Sequence, residues 1–77
     1  MVYERWTVEK TLLELLDKEP FRPFRIVLTS GDRYEVINPH LVAIGDTEIF
    51  YCFPQTDRFV YIRKNQIAAL EALLPAA

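Results

Sequence analysis

The sequence predicts a mainly β domain of the α+β class, with an N-terminal helix followed by a strongly bent antiparallel sheet of about five strands. Three observations predict it. Apolar residues recur at helical spacing only before Pro20. From Phe24 onward the period falls to two, as in half-buried strands. Turn signals at Ser30-Gly31-Asp32, Gly45-Asp46 and Pro54 to Asp57 then cut the chain into strand-length pieces. The 77 residues fit one domain, 1–77, and a chain of this size has only a marginal core of its own. Hydrophobic residues make up 51% and charged residues 26%, which is a globular composition and not a disordered one.

Val8, Leu12, Leu15 and Leu16 define one face of a helix over about 7–18, and Leu13 widens it. Glu9, Lys10, Glu14, Asp17 and Lys18 fall mostly on the other side. Thr7 can serve as N-cap, because its hydroxyl accepts from an otherwise orphan N–H. Glu14 and Lys18 have i,i+4 spacing. Pro20 stops the helix, because it lacks an N–H and pushes Glu19 out of helical geometry.

Phe24, Ile26 and Leu28 alternate with Arg25, Val27 and Thr29, and Tyr34 and Val36 alternate with Arg33, Glu35 and Ile37. Leu28 opposite Tyr34 keeps the apolar set on one face. A two-residue turn would instead mix apolar and charged groups, so a three- or five-residue connection is predicted. Asn38-Pro39-His40 interrupts the second strand, since proline cannot donate to a ladder. Leu41 to Ile44 resumes extended structure, as a bent continuation or a separate short strand. Thr47 to Phe53 and Phe59 to Arg63 read as further strands, rich in β-branched and aromatic residues. Ile67 to Leu74 is helix material by propensity, with Asn65 as a cap, while its place after a strand suits a closing strand from Ile67 to Leu70.

Two resemblances follow from these residues. A helix, then the strand–glycine turn–strand set Phe24, Ile26, Leu28, Gly31, Tyr34 and Val36, comes first. After it comes Val60-Tyr61-Ile62-Arg63, a tight turn Lys64-Asn65-Gln66, and Ile67-Ala68-Ala69-Leu70. In this order the chain resembles the Sm-like small β-barrels, over roughly residues 7 to 71. The resemblance implies a barrel over about 22–71 with a short tail after it, and a closing strand where propensity leans to helix. Family positions are not all kept. Val36 stands where a glycine is usual, Val42 near a usual aspartate, and Asp46 where an asparagine helps form the nucleotide pocket. Arg63 matches the family arginine, but Lys64 replaces the glycine after it. The resemblance therefore implies the fold more than RNA binding. Any single-stranded RNA contact would fall to Arg25, Arg63 and Lys64 beside Phe59 and Tyr61. The segments Pro20-Phe21-Arg22-Pro23-Phe24 and Tyr34-Glu35-Val36-Ile37-Asn38-Pro39 also resemble a group of short uncharacterised bacterial proteins, which implies no activity.

Chemistry-bearing patterns are sparse. One histidine, His40, and one cysteine, Cys52, have no metal-ligand spacing, so no metal site is predicted. Cys52 reads as a small buried thiol in an apolar strand, and only His40 could serve it as a base. Gly31 and Gly45 are the only glycines, too few for a phosphate loop. No two carboxylates are marked as sharing a pocket. The expectation is a protein that is not an enzyme and takes no cofactor. A net charge of −2 disfavours holding nucleic acid by charge alone. No apolar run approaches the roughly 20 residues of a membrane helix, and charges in the first five residues do not suit a signal peptide. With a lone cysteine, the expected compartment is the cytoplasm.

The pattern with functional content is apolar surplus. If Val60 and Ile62 face the core, Phe59 and Tyr61 face out. If Phe50 and Cys52 face in, Ile49, Tyr51 and Phe53 face out. Val27 and Ile37 also point away from the core set. One leucine-faced helix cannot cover all of these. A contiguous apolar patch marks an interface, and open strand edges favour pairing between subunits. The sequence thus predicts a small non-catalytic oligomerisation or protein-interaction module, a homo-oligomer or one bound to a protein partner. Candidate interface residues are Phe59, Tyr61, Tyr51, Phe53 and Ile49. Sm-like single-stranded RNA binding is the alternative, and no membrane is involved.

Overall fold

The computed structural model describes residues 5–73, with side chains from Val8 onward. A helix, α1 (Arg5–Asp17), precedes six strands: β1 (Phe24–Leu28), β2 (Arg33–Val36), β3 (Val42–Ile44), β4 (Glu48–Cys52), β5 (Phe59–Arg63) and β6 (Ile67–Ala72). All pairings are antiparallel. The strands form two three-stranded sheets, ordered β2-β1-β6 and β3-β4-β5.

Helix α1 starts two residues before Thr7, which therefore lies inside it and cannot be its N-cap. Its C-terminus precedes Pro20, as proline chemistry requires. Lys18 falls beyond the last turn, so the Glu14–Lys18 spacing is no longer helical. Leu12 is fully buried, and Leu15 and Leu16 pack against the core. Leu13 does not widen that face; it stays 49% exposed.

The first hairpin is closed by a three-residue connection, Thr29 to Gly31. Leu28 N–H donates to Asp32 C=O at 2.9 Å, and Gly31 N–H to Leu28 C=O at 2.9 Å. Gly31 sits at φ 96°, a left-handed conformation that a side chain would strain. Tyr34 lies opposite Ile26 and not Leu28, a shift of one full period that leaves every side chain on its expected face.

The chain does not close into a barrel. The predicted bent second strand is split in two, so the strands number six. At the split, Pro39 has no N–H to give. Asn38 Oδ1 accepts from His40 N–H at 2.9 Å, and Leu41 N–H donates to Asn38 C=O at 3.1 Å, which winds Pro39–Leu41 into a 3-10 turn. At the other end a second 3-10 turn, Lys64–Gln66, carries the chain from β5 to β6, each an outer strand of its sheet. The tail is a strand, as the resemblance implied and propensity did not: β6 gains a full ladder against β1, from Phe24↔Ala72 to Leu28↔Ile67. Residues 74–77 lie outside the described ones.

The core joins both sheets and the helix. Phe24, Ile26 and Val36 come from the first sheet, Ile49, Tyr51 and Ile62 from the second, and Leu12 from α1. Tyr51 crosses between sheets: its hydroxyl donates to the Glu35 C=O at 2.7 Å. Burial, helped by the nearby Glu35 charge, raises the phenol above its ordinary pKa. A group raised in the folded state stabilises fully below its unfolded pKa, and that contribution is lost as pH climbs through the folded value. Tyr51→Phe should therefore cost about 1 kcal/mol near neutral pH. It should also remove part of the alkaline decline in stability that urea melts above about pH 10 are expected to show.

Candidate interaction surface on the second sheet

Strand β4 is apolar on both sides, so its orientation is set by its neighbour. Val60 and Ile62 face the core, and the register pairs them with Tyr51 and Ile49. Side chains directly opposite share a face, so Ile49 and Tyr51 are drawn inside and buried. This reverses the expectation for three of the five candidate interface residues: Ile49 and Tyr51 are buried, and Phe53, two positions on, packs against the same core. Phe50 and Cys52 turn outward instead, Phe50 half-buried and Cys52 exposed, which also corrects the reading of Cys52 as a buried thiol. Phe53 is half-buried: its ring lies 5.2 Å from Tyr51 and 6.0 Å from Tyr34, with the Arg58 guanidinium 5.2 Å above it.

Phe59 and Tyr61 do face solvent, 58% and 63% exposed. They form a stacked row with Phe50: ring centroids are 4.7 Å apart for Phe50–Tyr61 and 5.6 Å for Phe59–Tyr61. Cys52 lies opposite Phe59, Glu48 opposite Arg63 and Ala43 opposite Phe50, completing the outward face. Arg63 is exposed and forms no ion pair among the described residues. No element of the described chain lies over this row, since α1 packs on the core side through Leu12.

The same residues own the open edge. Phe53 N–H donates to Arg58 C=O at 2.9 Å, and Lys64 N–H to Thr47 C=O at 3.0 Å. Arg58 and Lys64 thus turn their backbone groups toward β4, and alternation makes Val60 and Ile62 do the same. Phe59, Tyr61 and Arg63 turn theirs away, to the side of this edge strand that no described strand pairs. Of the devices that blunt natural edges, β5 has neither proline nor bulge, and its one charged residue, Arg63, stands at its end.

The basic candidates are placed differently. Arg25 lies on the outward face of the first sheet between two carboxylates, with Nη2 3.1 Å from Glu35 and Nη1 3.2 Å from Glu71. The hydrogen bond to Glu35 leads in raising its pKa further, against partial desolvation. Lys64 is 4% exposed. Its ammonium pairs with the Glu9 carboxylate of α1 and donates to the Asp46 C=O at 2.8 Å. Its side chain is thus a pin from the β5–β6 turn to the helix and the β3–β4 turn. Lys64→Met should loosen α1, with about 1–3 kcal/mol lost and faster hydrogen exchange of the helix amides.

His40 is exposed in its 3-10 turn. Among the described residues there is no group of three or more His, Cys, Asp or Glu side chains able to hold a metal ion. No described helix is long and apolar enough to cross a membrane. Sequence reasoning missed Phe50 as a member of the outward row. The four-residue turn Pro54 to Asp57 held the signal, because it sets Phe53 opposite Arg58 and hence Tyr51 opposite inward Val60. Compared with known proteins, the chain matches no family model, no curated protein and no solved structure.

Proposed function

We propose that this chain is a small, non-catalytic module whose work is association, with itself or with another protein. The observation that supports this most is the stacked Phe50–Tyr61–Phe59 row standing on an edge strand whose free backbone groups belong to the same residues. Burying that row recovers apolar area that a core of this size cannot supply internally. The element order also supports kinship of form with Sm-like proteins. A helix comes first, β2 and β3 correspond to halves of one bent strand, and a 3-10 turn separates β5 from β6. A cytoplasmic setting suits the lone thiol on the surface.

RNA binding draws less support. Of its three candidate contacts, Arg25 is bracketed by carboxylates and Lys64 is buried, leaving Arg63 alone with an unpaired charge. The test is light scattering at high micromolar concentration together with a pull-down. An assembly heavier than the 9.0 kDa chain, or a recovered protein partner, is the expected result. A 9.0 kDa species with no partner would overturn the proposal, as would salt-sensitive capture of short single-stranded RNA by that monomer.

A further inference from the structure

We infer that the occupant of this surface is a second copy of the chain, joined β5 to β5 in antiparallel order with Tyr61 on the two-fold axis. The inference rests on the association reading and specifies its partner and geometry.

The strand is complementary to itself. Phe59, Tyr61 and Arg63 occupy alternate positions, and all three expose both their side chains and their outward-turned backbone groups. A two-fold axis through Tyr61 sets Tyr61 against Tyr61 of the second copy, and Phe59 against Arg63 of the second copy. Each of these is then a hydrogen-bonded pair, in which both residues exchange N–H and C=O bonds. The register therefore satisfies every open backbone group of the edge from Phe59 to Arg63, and two three-stranded sheets become one of six. On the outward face it puts a tyrosine pair at the centre. An Arg63 guanidinium lies beside a Phe59 ring at each end, which is a cation–π arrangement. The two Phe50 rings flank the centre, extending the apolar row across the junction.

The alternative junction, β5 to β6 of another copy, is less well matched. Leu73 N–H donates to Pro23 C=O at 3.1 Å, so Leu73 turns toward β1 and alternation sends the backbone groups of Leu70 and Ala72 to the free edge. These two share a face with Ile26 and Phe24, the core face. Joining them to Tyr61 would align the solvent face of one copy with the core face of the next. The two-fold junction keeps like faces together and closes on itself, so the assembly stops at a dimer.

Charge placed at Phe59 tests the register, because only in this register does position 59 meet Arg63 of the second copy. Phe59→Glu should keep the dimer and make it weaken with added salt. Phe59→Lys should raise its dissociation constant about 30-fold or more. Both positions are exposed, and circular dichroism confirms that each variant folds. An unmodified chain that dimerises, with both variants losing or both retaining the dimer, overturns the two-fold register and leaves association standing. An unmodified chain larger than a dimer overturns it equally. A monomeric unmodified chain overturns the register, and it overturns the association reading too when no protein partner is recovered with it.

Discussion

Phe24→Ala should unfold the protein at ambient temperature. Phe24 is fully buried, at the meeting of α1 and both sheets, with Val36 and Ala72 as its ladder neighbours and the Phe21 ring 6.1 Å away. Removing a buried phenyl ring costs about 3–5 kcal/mol in lost transfer energy and cavity formation. A single core in a chain this short rarely supplies more than about 3–5 kcal/mol, so the loss takes most or all of it. Loss of the far-ultraviolet β signal, or a urea midpoint near zero denaturant, is the expected observation. Phe59→Ala is the control. Its ring is large but exposed, and monomer stability should change by no more than about 0.5 kcal/mol.

Tyr61→Lys should abolish self-association while leaving the fold intact. The side chain points away from the core, so the monomer loses only its contacts with Phe50 and Phe59. On a two-fold axis the substitution counts twice, removing two rings and opposing two ammonium groups. A central aromatic of this kind contributes about 2 kcal/mol or more, or about 30-fold in the dissociation constant before repulsion is added. Analytical ultracentrifugation at matched concentrations reads the effect directly. An unchanged dissociation constant would place the contact elsewhere.

Element order was legible in the residues because each cause is local. Pro20 stops a helix whatever surrounds it, Gly31 permits a left-handed turn, and Phe24, Ile26 and Val36 alternate against charged neighbours. Strand β5 ran to its predicted bounds because Phe59 to Arg63 is framed by polar residues. What was not legible depends on distant partners. The run Ile49 to Phe53 has no polar face, so period two is present but unanchored, and only pairing with Val60 and Ile62 decides that Ile49 and Tyr51 go inside. The tail favours helix by propensity, yet β1 has a free edge opposite β2 that Ile67 to Ala72 fills. The break after β2 left two readings open, and the local turn decides between them: Pro39 has no N–H to give and Asn38 captures His40 N–H, so β2 and β3 are separate strands in different sheets.

The candidate surface divided in the same way. Phe59 and Tyr61 were readable, since inward Val60 and Ile62 fix them by alternation. Lys64 was not, because nothing in its sequence neighbourhood announces that Glu9, 55 positions away, neutralises it and holds it inside. Arg25 likewise owes its partners to two ladders, with Glu35 on β2 and Glu71 on β6.

Hydrogen exchange at the amides of Phe59, Tyr61 and Arg63, followed as protein concentration rises, tests the free flank of β5 as the contact. These three N–H groups should exchange quickly in dilute solution and slow together as concentration increases, while the Val60 and Ile62 amides, already bonded to β4, change little. Exchange of all three at one fast rate, at every concentration, would contradict the account.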